Sequence, residues 1–147
     1  MAKSPRESIL SPAIYDVAAE LGAHTSGDRP LPKSAKACPK FVEEFYRRIV
    51  WPKRRVYEAP DRDPIGLTGV SFSGPEAVPP EQEVLGAEGK ELIAFGIHNG
   101  GNWVLVFDGR DEHPENPMVY EVDHEPGGEL EEIGRLSDFL EMLQPAS

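Results

Sequence analysis

Apolar positions recur with helical spacing in three stretches of the chain and with strand-like density in three others. Ile14, Val17, Ala18 and Leu21 fall at i, i+3, i+4 and i+7, with Ser11 placed to cap the first amides, Pro12 at the first helical position and Gly22 after the last periodic residue. This predicts a first helix. A second helix is expected from near Pro39 to Trp51-Pro52, with Phe41, Val42, Phe45 and Ile49 on one side and Glu43, Glu44, Arg47 and Arg48 free to pair across the other. A last one is expected at the carboxy end, with Ser137 as its cap, Asp138 in its first turn, Phe139, Met142 and Leu143 on one side, and Pro145 as its stop.

Between them, residues 92–97 and 103–108 are two β-rich apolar runs joined by His98-Asn99-Gly100-Gly101-Asn102. Asn and Gly accept the positive φ angles of a tight turn, so this is a hairpin. Both faces of each strand are apolar, which places it inside a sheet and covered on both sides for part of its length. A third strand is expected at 118–122, with Met118, Tyr120 and Val122 inward and Val119 and Glu121 outward, after a Pro-bounded loop at 109–117. Residues 59–89 are broken by Gly and Pro, and only 67–72 reads there as a short strand. Helices segregated from strands predict an α+β fold: a single domain over 1–147, with a central, mostly antiparallel sheet flanked by amino- and carboxy-terminal helices. Residues 1–9 are expected to be flexible.

Composition sharpens this picture through charge. Residues 1–62 hold 12 Lys/Arg against 8 Asp/Glu, and residues 63–147 hold 3 against 18, so net charges of +4 and −15 share one chain of 147 residues. The second half would repel a phosphate backbone, which excludes nucleic acid as its partner and favours a basic protein. The one basic run, Lys53-Arg54-Arg55 after Arg47 and Arg48, sits at a helix end and complements its dipole. No stretch approaches the roughly 20 apolar residues of a membrane span, and the amino terminus has no signal-peptide apolar core. Cys38 is the only cysteine, so no intrachain disulfide forms. A cytoplasmic address is the expectation, with Cys38 a small half-buried side chain.

The densest polar region is Asp108, Asp111, Glu112, His113 and Glu115, continued by Glu121, Asp123, His124 and Glu125. Such residue types ligate metals or share acid/base work, but the spacing matches neither a calcium loop nor a His-Glu-x-x-His zinc site. No phosphate loop and no nucleophile elbow occurs. No cofactor, metal site or catalytic set is therefore expected. His98 reads as a turn-polar side chain, Trp103 as a core plug with its indole bonded at the rim, and Trp51 as a packing residue or an exposed anchor.

The hairpin 92–108, the following Val119-Tyr120-Glu121-Val122-Asp123-His124, and the terminal Ser137-Asp138-Phe139-Leu140 together resemble the carboxy-terminal half of the SUKH superfamily. Leu31-Pro32-Lys33-Ser34 ahead of Phe41 is similar to that family's Leu-Pro lead-in. The resemblance implies an α+β domain that binds proteins without catalysis. Many bacterial members look like immunity proteins that neutralise toxins, often nucleases, and a eukaryotic relative regulates cell-wall synthesis through protein contacts. The expectation is an immunity protein that occludes a basic toxin with a surface formed by Asp111, Glu112, Glu115, Glu121, Asp123 and Glu125. The alternatives are a regulatory scaffold using Trp51 and the basic run, or a small metal-dependent hydrolase using His98 or the Asp108 to His124 cluster.

Overall fold

The computed structural model describes residues 8–33, 38–61, 66–78, 84–123, 125 and 127–146. Its elements are α1 (Pro12–Glu20), α2 (Lys40–Arg48), β1 (Tyr57–Ala59), β2 (Leu67–Ala77), β3 (Val84–Leu85), β4 (Leu92–His98), β5 (Trp103–Asp108), β6 (Met118–Asp123), β7 (Gly128–Glu129), β8 (Glu131–Arg135), α3 (Leu136–Met142) and β9 (Gln144–Pro145). Seven strands form one sheet in the order β8-β6-β5-β4-β2-β1-β9, antiparallel throughout, while β3 and β7 form a separate parallel pair. The fold is α+β, with the sheet flanked by helices. Among the described residues, no helix is long and apolar enough to cross a membrane.

The chain connecting the two edge strands fixes the shape of the sheet. From β8 to β9 it passes through the seven residues of α3 and Leu143, a path that reaches about 17 Å at helical and extended rises. Seven strands laid flat would be about 29 Å wide. The sheet therefore curls, which brings the Arg135 end of β8 and the Gln144 start of β9 within the reach of α3. The buried Leu136, Phe139 and Leu140 of α3 pack against one face of the sheet.

That face carries the main core. α1 contributes Ile14 and Ala18, α2 contributes Phe41, Val42 and Phe45, and the sheet contributes Tyr57, Leu67, Val70, Ile93, Phe95, Leu105, Phe107 and Val119. At its centre a row of stacked rings crosses the strands. Trp51 lies on Phe72 at 4.1 Å between centroids and 10° between planes, Phe72 leads to Phe95 at 6.3 Å, and Phe95 lies on Phe107 at 4.0 Å and 14°. Phe45 meets Phe95 and Phe107 edge-on at 5.6 and 5.5 Å, and Phe139 meets Phe95 edge-on at 6.4 Å. Offset-stacked and edge-to-face geometries are those the ring quadrupole favours. Gly96 makes the row possible, because a Cβ there would stand 2.6 Å from the Ser71 carbonyl oxygen and force β2 away from β4.

The opposite face holds a smaller cluster of Leu92, Val106 and Val122, with Val84, Val104, Tyr120 and Leu130 packed on it. The hairpin is thus covered on both sides for part of its length, while Ile97 near the turn is exposed. Its turn is a 3-10 segment, Asn99–Gly101, with φ of 52° at Asn99, 68° at Gly100 and 90° at Gly101.

Several expectations are corrected. α2 stops at Arg48 rather than reaching Trp51, because Ile49 is already extended at its C-cap and Val50 pairs with His24. The sides of β6 are exchanged: Val119 and Glu121 are buried on or beside the main core face, while Tyr120 and Val122 join the smaller cluster. Alternation fixes which residues share a face but not which face receives the helices. β2 is a strand of 11 residues rather than the short 67–72. Its register against β4 shifts between Phe72 and Glu76, and Pro75, which has no N–H to give, falls in that irregularity. Ser11 occupies the N-cap of α1 without a side-chain bond, its carbonyl instead accepting the Ile14 N–H at 3.1 Å. Ser137 lies inside α3 rather than capping it.

Glu44 was expected on the solvated side of α2 and is instead buried. Its carboxylate accepts the Ser8 hydroxyl at 2.7 Å, the Ile9 N–H at 2.7 Å, the Leu10 N–H at 3.2 Å and the Tyr15 hydroxyl. Residues 8 and 9, expected to be loose, are held by this one side chain. Arg47 does make the expected i,i+4 pair with Glu43 at 3.0 Å.

Two outcomes are expected. Truncating Phe95 to Ala removes the middle of the ring row and should cost about 3–5 kcal/mol in urea unfolding. Burial and then the hydrogen bond to Glu44 push the Tyr15 phenol up from 10.0 to about 12. The folded chain holds that proton more tightly, so its contribution to stability is complete below pH 10 and is lost as pH rises through 12. Absorbance titration at alkaline pH should show this late step, and Tyr15→Phe should remove it and flatten the fall in unfolding midpoint.

Candidate functional site

The loop at 109–117 stands out because its backbone is tied down while its charged tips face solvent, with His113 Nδ1 lying 3.5 Å from the Glu115 carboxylate. Asp108, at the end of β5, accepts the N–H groups of Glu91 at 3.0 Å and Arg110 at 2.9 Å. Asp111 accepts the N–H groups of His113 and Met118, each at 2.8 Å, and draws Arg135 of β8 to 3.5 Å. Asn116 supplies the cap that Ser137 does not: its Oδ1 accepts the Ser137 N–H at 2.9 Å, and its amide donates to the Ser137 hydroxyl at 2.9 Å. The Glu115 carbonyl accepts the Ser11 N–H at 2.9 Å at the start of α1. One loop is thus fastened to β8, α3 and α1 at once, with Glu112, His113 and Glu115 exposed on it.

The six carboxylates singled out from the sequence separate into kinds. Glu112, Glu115 and Glu125 are exposed. The Asp111 side chain is only 7% exposed and is consumed in holding the loop. Asp123 is half-buried and accepts the Glu125 N–H at 3.0 Å. Glu121 is buried against His98. They also do not share one place: Glu112 and Glu115 lie at the Met118 end of β6 and Asp123 and Glu125 at the other, about 17 Å apart along a six-residue strand. His124 lies outside the described residues.

Sequence reasoning missed the acidic strand beside them. Glu129, Glu131 and Glu132 are exposed on β7 and β8, and β8 is an edge of the sheet. Its sequence, Glu-Glu-Ile-Gly-Arg, lacks both alternation and β propensity, so only the paired Glu131-Glu132 signalled it.

His98 was expected as a solvent-facing turn residue and is 4% exposed. Its Nε2 lies 3.0 Å from the Glu121 carboxylate, its ring stacks with Trp103 at 6.2 Å and 10°, and its Nδ1 is buried without a hydrogen-bond partner. Trp103 therefore covers this pair rather than plugging the main core. An imidazole oriented by a carboxylate has the form of a general base with its positioning acid, but this one is closed off from solvent in the structure. Among the described residues, no group of three or more His, Cys, Asp or Glu is placed to hold a metal ion.

The basic half is partly committed to internal contacts. Arg47 meets Asp28 at 2.7 Å and Glu43 at 3.0 Å, the Arg29 guanidinium lies 3.8 Å from the centre of the Tyr46 ring, and that of Arg48 lies 5.2 Å from the Tyr15 ring. Lys53, Arg54 and Arg55 remain exposed. Trp51 is half-buried in the ring row, which leaves it a packing residue. Burial and then Glu43 push the Cys38 thiol up, which keeps it protonated.

Compared with known protein families, with curated proteins and with solved structures, the chain gives no significant match.

The buried pair is testable by a double-mutant cycle. His98→Ala, which removes the imidazole hydrogen bond to the buried Glu121, should cost about 1–3 kcal/mol. Glu121→Gln, which keeps an oxygen and an N–H near the ring, should cost less, and the coupling between the sites should be about 1–3 kcal/mol by chemical unfolding.

Proposed function

We propose that this chain is a non-catalytic protein-binding module that captures a basic partner protein and acts by occluding it. The observation that carries the reading is the fastened loop at 109–117, which displays Glu112 and Glu115 while Asp108, Asp111 and Asn116 fix its backbone. Charges held on a rigid support lose little freedom on binding, and a field of one sign speeds encounter with a partner of the other. The net charge of −15 on residues 63–147 supplies that field. The resemblance to the SUKH superfamily supports the narrower form of the reading, a cytoplasmic immunity protein whose partner is a toxin. A nuclease is the best fit, because a surface built to grip phosphates is basic and an acidic loop competes for it.

The test is the triple charge reversal Glu112→Lys, Glu115→Lys and Glu125→Lys, all at exposed positions. Wild-type protein should capture a basic protein from its host's lysate at low salt and release it at high salt. The variant should associate with that protein at least about tenfold more slowly. Equal association by the variant, or metal-dependent hydrolysis by the purified chain, would overturn the reading.

A further inference from the structure

The two acidic ends of β6 are joined by the outer edge of β8. Along that edge Glu131 stands opposite Glu121 and Arg135 opposite Met118, so β8 runs from the Asp123–Glu125 end to the loop at 109–117. The contact from Arg135 to Asp111 at 3.5 Å closes the second junction. Only β6 pairs with β8 in the sheet, and among the described residues no strand lies on its other side. A row of backbone donors and acceptors therefore runs between two groups of exposed carboxylates.

The opposite edge is different. β9 is two residues long, one of them Pro145, and Ala146 closes it by donating to the Val56 carbonyl at 3.0 Å. Proline and brevity blunt a sheet edge against pairing. β8 has five residues, no proline, and Glu131 and Glu132 exposed. Those carboxylates disfavour a second copy of the same edge, since like charges across a strand pair repel, and they favour a strand of opposite charge. The register shift between Val119 and Tyr120 gives β8 an extra residue that twists the edge, so the open template suits a short segment of about five residues.

We infer that the outer edge of β8 receives an extended Lys- or Arg-rich segment of the partner, which adds to the sheet as a further strand. This rests on the reading that the partner is basic. Main-chain hydrogen bonds to β8 supply the register, and Glu131 and Glu132, with Glu129 and Glu125 at one end and Glu112 and Glu115 at the other, select for positive charge.

Two peptides test it against the whole 147-residue chain: an alternating Lys-Val octapeptide, and the same peptide N-methylated at every backbone amide, so that neither of its edges keeps a donor. They carry equal charge, but the second cannot form a continuous ladder. The first should slow amide exchange within Glu131–Arg135 and bind about tenfold or more tightly than the second, the effect of two or three hydrogen bonds. Glu131→Lys with Glu132→Lys should abolish its binding while leaving the unfolding midpoint unchanged. Equal binding of the two peptides, or protection confined to the loop at 109–117, overturns strand addition while leaving the basic-partner reading intact. Binding of neither peptide overturns the docking site, and the lysate capture with the Glu112, Glu115 and Glu125 reversals then decides the wider reading separately.

Discussion

The row of rings from Trp51 through Phe72 and Phe95 to Phe107 is the contact on which the rest of the molecule is arranged. It sets β2, β4 and β5 side by side with their aromatic residues on one face, and it gives α2 and α3 a surface that Phe45 and Phe139 meet edge-on. Close packing of flat rings tolerates little displacement, so strand spacing at this point is fixed within a narrow range. Gly96 is part of the same constraint, since only a residue without Cβ lets the neighbouring backbone come so near. With the middle strands held, curling of the sheet follows from the short path between β8 and β9.

Carboxylates divide the remaining work. Glu44, Asp108, Asp111 and Glu121 are turned inward or onto backbone amides: they hold the amino-terminal segment, two loop corners and His98. Glu44 and Glu121 do so in buried surroundings, and Asp108 and Asp111 do so nearer the surface. While these acids hold the frame, Glu112, Glu115, Glu125, Glu129, Glu131 and Glu132 face outward. The proposed function depends on that separation between acids that build and acids that are displayed.

Much of the fold was legible in the residues themselves. α1, α2 and the hairpin of β4 and β5 announce themselves through local punctuation: Pro12 and Gly22, the Phe41-Val42-Phe45 spacing, and the Asn-Gly-Gly turn. β2 and β8 were not legible, since Gly74-Pro75 and the Glu-Glu-Ile-Gly-Arg run argue against strands unless a neighbouring strand supplies the pairing. The site was legible only in part. An acidic region was evident, but the sequence could not distinguish Glu112 from Asp111, or Glu125 from Glu121.

What the sequence determined alone was the identity of the local elements and the sign and asymmetry of the charge. Turn chemistry, capping and periodicity act within a few residues, and net charge needs no geometry at all. Tertiary structure alone decided the fate of each side chain. Asn116 becomes the cap of α3 through a partner 21 positions away, Glu121 meets His98 across 23, and Glu44 gathers Ser8 across 36. Whether a carboxylate is a brace or a contact depends on which donors the folded chain brings to it, and no local pattern carries that information.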